Sequence, residues 1–564
     1  MCKLKEEVAN LLRDIGVEGE IDIITPPDPE MGDLGFATFG LAKQQKKNPY
    51  DVTLELKSAI EEKGMPNGIE GIAAVGPYLN FYFKTGGLAK CVIEEIKVRG
   101  KDFGKSQTKQ KEKVMIEYSQ PNTHKEFHIG HLRNVCIGSS LVNIFRASGY
   151  KILSANYVGD VGAHVAKCLW YIKKFNKEIP KENKGKWLGQ MYTEASRVLE
   201  DKPELKPEVQ EVQAKLESGD KDWVKFWQET KKWSLEEFKR IYDLLGVNFD
   251  VWFYESEVEK PGKDMVDELL KKGVAQTGEG GAVIVDLNKY GLDIFLILKS
   301  DGTSLYATKD LALAKKKFHE YKIDKNIMVV DSRQEFYFKQ LFQTLALAGW
   351  KKDLQYIGYE FVKLPEGAMA SRTGNVVLFD DLYNDVFATE VEEVKTRHAD
   401  WSAKNIEEAA RVLALGALKF DMLKHPVDKV IIFNKKEALA FEGYTGPYVL
   451  YVVARINSLL KKSKNKIKKV DFELLKESEE KQLLLLMSQF EEIIIKSLEN
   501  YNPSVIIKYC FDLAKQYNDF YTQHSVLSAQ TPELINARLA ISACVKQVLE
   551  NALGLLGIDT VPEM

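Results

Sequence analysis

The sequence predicts an α/β protein: a doubly wound, Rossmann-type sheet with a helical insertion, a small α/β unit before it and an all-α helix bundle after it. Three observations carry this prediction. Strand-like runs alternating with helix-period segments occur in two blocks, at 114–158 and 295–362. The charged, tryptophan-rich stretch between them, from about 165 to 290, has mostly helical spacing. From 403 onward nearly every segment has helical spacing, as in RVLALGALKFDML, YVLYVVARINSLL and KQLLLLMSQFEEIIIKSL.

At 564 residues the chain is too long for one ordinary domain. Residues 1–108 read as the small α/β unit. Its opening MCKLKEEVANLLRDIG alternates charge with apolar residues at helical spacing and lacks the apolar block of a signal peptide. A turn rich in proline (Pro26, Pro27, Pro29), a helical stretch at 37–47 and a strand at 78–83 follow. The lysine-rich GKSQTKQKEK (104–113) reads as a linker into the sheet domain, placed at 109–365. There VMIEY (114–118) is β-rich, SQPNTHKEF is a loop, 128–148 has helical spacing, Gly149 is a helix stop, and KILSANYV (151–158) is the next strand. The second block comprises FLILK (295–299), NIMVVD (326–331) and LQYIGYEFV (354–362). A segment at 366–402 leads to the bundle at 403–564, where the lysine cluster 461–469 is either a solvated interhelical loop or a phosphate-backbone contact.

Composition limits the partners. The formal charge of −3 means that any nucleic acid must be met by local patches, because the chain as a whole is not basic. The six cysteines (Cys2, Cys91, Cys136, Cys168, Cys510, Cys544) are scattered without a C-x-x-C pair. That argues against a structural zinc or a disulfide framework and fits a reducing cytoplasm. With no apolar run of about 18 residues, no membrane span is expected.

The chemistry concentrates in SQPNTHKEFHIGHLRN (119–134), where a strand ends, a polar loop follows, and His128-Ile129-Gly130-His131 enters a helix. Backbone N–H groups at a helix start are unpaired and the helix dipole is positive there, so an anion is welcome. His128 and His131, three apart, share a helical face and can aim at one phosphate. Gly130 permits close approach to the backbone. Such a site suits nucleotidyl transfer: a carboxylate attacks the α-phosphate of ATP, and catalysis is positioning plus stabilisation of developing charge.

His-Ile-Gly-His is the signature of class I aminoacyl-tRNA synthetases, and the longer run EYSQPNTHKEFHIGHLR resembles the arginine-specific members in particular. The similarity continues through SANYVGDVG (154–162), SDGTSLYATKDLALA (300–314), DSRQ (331–334), FEGYTGPY (441–448) and the terminal VPEM. It implies arginine activation with Mg²⁺·ATP, transfer to tRNA(Arg), and a requirement for bound tRNA before activation. Gly159, Asp160 and Met369 join the two histidines and Gly130 as expected ATP contacts. A monomer is expected.

The second signature loop of the class, Lys-Met-Ser-Lys-Ser, corresponds here to Ala368-Met369-Ala370-Ser371-Arg372-Thr373-Gly374, with neither lysine present. In the arginine family a lysine just upstream of the histidine motif often substitutes. Lys125 holds that place, so Lys125, Ser371 and Arg372 join His128 and His131 as expected catalytic residues. A guanidinium requires carboxylates in a water-poor site. By resemblance these are Glu117 and Asp310, with Asn122, His128, Tyr306 and Gln334 around the rest of the amino acid. The amino-terminal unit is similar to one that reads the tRNA elbow, through Asn80 and Phe83; sheet core and turn are the alternatives for these two. Segment 366–402 is expected to meet the acceptor stem. Tyr448, Tyr451, Arg455 and Met564 are expected at the anticodon loop, with a core-facing stripe as the alternative for the tyrosines. Rival readings are a synthetase for another amino acid, a tRNA-binding paralogue that does not catalyse, and a small-metabolite nucleotidyltransferase.

Overall fold

The computed structural model describes residues 2–26, 28–66, 68–106, 108–363, 377–463 and 470–563. Near the amino terminus, Leu34–Ala37, Tyr78–Phe83 and Ile69–Val75 pair antiparallel in a four-stranded sheet, with Ile23–Ile24 at one edge. The helix Pro49–Lys63 packs beside it, started by the Asn48 side chain, which accepts from the Tyr50 N–H, and by a proline at its first position.

The central sheet has five parallel strands: β1 (Lys113–Glu117), β2 (Lys151–Val158), β3 (Val251–Tyr254), β4 (Lys325–Asp331) and β5 (Asp353–Tyr359), in spatial order β5–β4–β1–β2–β3. The strand order reverses at β1, whose neighbours are β2 on one side and β4 on the other. The crevice beyond the carboxyl ends of β1 and β4 is therefore where an open α/β sheet binds its ligand. Helix α1 (Ile129–Ala147) crosses from β1 to β2 and is buried along most of its length.

Two strand expectations need correction. FLILK does not join the parallel sheet. As Ile294–Leu298 it pairs antiparallel with Val283–Asp286 in a separate three-stranded sheet. β3, in contrast, lies inside the stretch read as helical insertion, and its register with β2 makes it the sheet's edge. Between β2 and β3 run α2 (Ala163–Lys174), α3 (Lys184–Asp201), Lys206–Glu217 and α4 (Lys221–Leu245), which have their own core around Trp170, Leu188, Met191 and Trp233. Two further helices matter for the site, α5 (Glu255–Lys271) and α6 (Tyr306–Tyr321).

The carboxy-terminal bundle includes α7 (Ala403–Leu423), α8 (Gly446–Lys462), α9 (Ser504–Gln523) and α10 (Pro532–Leu555). The run KQLLLLMSQFEEIIIKSL is two helices, Ser478–Ser488 and Phe490–Glu499, divided at Gln489. One continuous core joins the bundle to α1 and to the amino-terminal sheet. Arg133 of α1, fully buried, ties the sheet domain to the bundle by donating to the carbonyls of Glu360, Phe361, Pro426 and Val427.

Candidate active site

The loop between β1 and α1 is held in an unusual path. Ser119 (φ 76°), Gln120 (φ 49°) and His124 (φ 63°) occupy the left-handed region without being glycine, a cost of about 1–3 kcal/mol each that surrounding contacts must offset. Those contacts are specific. The Ser119 N–H donates to Asn134 of α1, and the Ser119 hydroxyl meets that of Tyr242 at 2.6 Å. The His124 N–H donates to Ser234 Oγ. His124 is sealed between Thr123 and Thr230, 3.0 and 2.8 Å from their hydroxyls, and burial pushes its pKa down to about 3. The Thr230 hydroxyl proton goes to backbone carbonyls of its own helix, so His124 Nε2 donates to Thr230 and the imidazole is neutral. Helix α4 thereby fixes the loop that carries Asn122 and Lys125.

The start of α1 departs from the expectation of unpaired N–H groups. His128 is its cap, with Nδ1 accepting from the N–H groups of Gly130 (3.1 Å) and His131 (3.3 Å). His131 Nδ1 accepts in return from the His128 N–H at 3.2 Å. The Ile129 N–H goes to the Val377 carbonyl. With both Nδ1 atoms accepting, both imidazoles carry their proton on Nε2. Their rings stack at 3.7 Å between centroids. Burial, then Lys125, lowers the His128 pKa to about 4; burial, His128 and Lys125 put His131 well below its ordinary value. The pair therefore offers two neutral Nε2–H donors, and the backbone N–H groups are already used. Gly130 is required by this cap: a Cβ there would stand 2.9 Å from the His128 ring.

Beyond the carboxyl ends of β1 and β4 lies a cavity of about 260 Å³. Glu117, Asn122, Tyr306, Asp310 and Gln334 all line it. Glu117 ends β1, and Asn122 bridges to Gly159, where a Cβ would collide with Asn122 Oδ1 at 2.2 Å. Tyr306 and Asp310 lie one turn apart on α6, and Tyr306 is 63% exposed. The Tyr337 hydroxyl donates to Asp310 Oδ2. Burial, with Glu117 and Glu255 adding to it and Tyr337 opposing, pushes the Asp310 pKa up to about 7.

Sequence reasoning missed several lining residues, Lys317, Glu255 and Asn326 among them. Lys317 of α6 forms an ion pair with Glu117, both side chains at most 3% exposed. Glu255 of α5 pairs with Lys309 at 2.8 Å. Asn326 of β4 is fully buried, and neither atom of its amide has a hydrogen-bond partner among the described residues. Lys317 lies seven residues after Asp310, two helical turns along the same face, but its place in a run of three lysines hides it in the sequence. When all are ionised, the three carboxylates (Glu117, Glu255, Asp310) exceed their two lysine partners by one negative charge, which suits a ligand with one cationic end.

Family models match three successive parts of the chain: the arginyl tRNA synthetase N terminal domain at 3–83, the class I (R) tRNA synthetase catalytic domain at 92–434, and the DALR anticodon binding domain at 449–564. An arginine–tRNA ligase of Bdellovibrio bacteriovorus is 39% identical over 557 residues, covering 96% of this chain and 94% of its own. That of Clostridium perfringens is 37% identical, covering 100% and 98%. The chain belongs to the arginyl-tRNA synthetases. Among solved structures, the Thermus thermophilus arginyl-tRNA synthetase superposes with a TM-score of 0.84 at 28% identity, over 100% of this chain and 99% of that one.

Other residues expected to act in an arginyl-tRNA synthetase fall in different places. Asp160 is fully buried, and its carboxylate is taken by Lys231 (2.6 Å) and by the hydroxyl and N–H of Ser256 (2.6 and 2.9 Å). It braces α5 against the loop after β2 and presents no carboxylate to a nucleotide. Asn80 and Phe83, expected at the tRNA elbow, are each 3% exposed in the amino-terminal sheet. Alternation puts Phe83 on the inward face with Phe81, while Asn80, on the opposite face, is covered by the backbone at Gly32 and Gly35, so neither offers a face for a base to stack on. Tyr448, Tyr451 and Arg455 share a half-buried face of α8. Arg455 lies over the rings of Tyr451 (4.7 Å) and Tyr521 (5.3 Å), and Asn518 bridges Arg455 and the Tyr448 hydroxyl. Met369, Ser371, Arg372 and Met564 lie outside the described residues, as do Ala368, Ala370 and most of the lysine cluster. Among the described residues no helix is long and apolar enough to cross a membrane.

Proposed function

We infer that this chain is an arginine–tRNA ligase that activates L-arginine with ATP and transfers it to the 3′ end of tRNA(Arg), releasing pyrophosphate and AMP. The observation that carries this is the acid-rich cavity at the switch point of the sheet, one negative charge in excess, walled by the same loop that leads into the histidine cap.

In the reaction, the guanidinium enters against Glu117 and Asp310, where the planar fork of arginine can give parallel hydrogen bonds that an ammonium cannot. Asn122, Tyr306 and Gln334 hold the backbone end of the amino acid toward the mouth. ATP, as its Mg²⁺ complex, lies across the start of α1. The arginine carboxylate attacks the α-phosphorus, and charge building on the phosphoryl oxygens meets the Nε2–H donors of His128 and His131. No proton transfer is needed, which agrees with two imidazoles held neutral. Losing one such donor typically costs roughly 2.7–4 kcal/mol of barrier. Lys125, three residues before His128, takes charge on the departing phosphates, with Arg372 and Ser371 of the second loop. The terminal adenosine hydroxyl of tRNA then attacks the activated carbonyl and AMP leaves. The α8 face of Tyr448, Tyr451 and Arg455, with Met564, would meet the anticodon loop. A cytoplasmic monomer is the working form.

Charging of tRNA(Arg) with labelled L-arginine tests this. Arginyl-tRNA should form with the parent protein and fail to form with Asp310→Asn or Glu117→Gln; equal charging with lysine would count against it.

A further inference from the structure

We propose that Lys167 and Tyr192, both supplied by the helical insertion, complete with Lys125 a clamp for the β- and γ-phosphates of ATP. Lys125 Nζ lies 5.2 Å from the centre of the Tyr192 ring, and Lys167 Nζ lies 5.0 Å from the same ring. Two ammonium groups on one aromatic platform attract the ring but repel each other. Burial first, and then the charge of Lys167, lowers the Lys125 pKa. The acid that reaches Lys125 is Glu255, which already holds Lys309 at 2.8 Å. A pair of cations held together in this way gains most from a polyanion set between them.

The clamp is a built feature. Helix α3, which carries Tyr192, packs directly on the loop that carries Lys125: at Gly189 a Cβ would run into Glu126 Cγ at 2.1 Å. Lys167 Nζ is steered by a 3.3 Å hydrogen bond to Ser196 Oγ on α3. The location also fits. The charge of Lys125 bears on His128 and His131, and Tyr192 bears on Tyr306 at the cavity. In activation the bond between the α-phosphorus and the bridging oxygen breaks as the carboxylate–phosphorus bond forms. The electron pair leaves on pyrophosphate, and the two ammonium groups stand to receive that charge. The insertion thus supplies a cation to a class I site whose second loop has neither of its usual lysines.

The proposal rests on the reading of Lys125 as a phosphate ligand, so the test separates the two. ATP–pyrophosphate exchange is measured with tRNA(Arg) for Lys167→Met, Lys167→Arg and Lys125→Ala, with thermal melting as the folding control. Lys167→Met should raise KM for pyrophosphate and for ATP about tenfold or more, the usual scale for losing a charge-assisted contact, leaving KM for arginine and tRNA unchanged. Lys167→Arg should recover most of the loss. Parental KM values for pyrophosphate and ATP in Lys167→Met, or a change confined to KM for tRNA, would overturn the proposal. Full exchange in Lys125→Ala would instead remove the reading of Lys125 and, with it, the paired clamp.

Discussion

Replacing Lys317 with methionine keeps the length and apolar stem of the side chain but removes the ammonium that touches Glu117. Both side chains are at most 3% exposed, so the remaining carboxylate cannot turn to water. Its other partner is Gln120, whose Nε2 donates to Oε1 at 2.9 Å. Breaking one side of a buried ion pair typically costs about 3–5 kcal/mol, because a buried charge is left uncompensated, and this pair has the burial that places it in that class. The substrate's guanidinium is itself a cation for the same carboxylate. Lys317→Met should therefore be strongly destabilised without ligand, and L-arginine should restore more stability to it than to the parent. Denaturant unfolding with and without saturating arginine measures both quantities. A variant as stable as the parent without arginine, or one that arginine stabilises no more than the parent, would refute the charge accounting of the cavity.

With the Asp310 carboxyl near pH 7 in the free protein, guanidinium binding must displace a proton at lower pH. KM for arginine should fall up to tenfold per unit as pH rises toward 7 and level off above it; Asp310→Asn should bind weakly and without this slope. Gly159→Ala places a Cβ 2.2 Å from Asn122 Oδ1, so it should raise KM for arginine while leaving the melting of the carboxy-terminal bundle unchanged, seen by hydrogen exchange. Arg455→Ala removes the group between Tyr451 and Tyr521 and the partner of Asn518; KM for tRNA should rise and KM for arginine should not, in steady-state charging assays.

Much of the fold is legible in the sequence because hydrophobic period and punctuation agree there. β1, β2, β4 and β5 are apolar runs bounded by turn residues, and the bundle helices have long, regular spacing. β3 is only Val251–Tyr254, set between two charged helices, and its strand character comes from pairing with β2. FLILK has strand composition, but composition does not say which sheet takes it; the hairpin with Val283–Asp286 does. The five cavity residues could be named from resemblance. Lys317 and Lys309 could not, because in KDLALAKKKFHE (309–320) lysines read as a solvated helix face, and the first and the last of them are buried against acids distant in sequence. The left-handed conformations at Ser119, Gln120 and His124 left no glycine to announce them, since tertiary contacts from α1 and α4 enforce them. Asn80 and Phe83 show the converse. Side chains suited to a nucleobase were buried for two reasons: Phe83 by the inward phase of its strand, and Asn80, on the other face, by the close backbone at Gly32 and Gly35.

ATP–pyrophosphate exchange with Mg²⁺ and L-arginine, run with and without tRNA(Arg) and with lysine, canavanine and glutamine as comparators, is the decisive assay for arginine activation. Exchange should need tRNA(Arg) and prefer arginine. Absence of exchange under every condition while tRNA still binds, or exchange that prefers another amino acid, would contradict arginine activation.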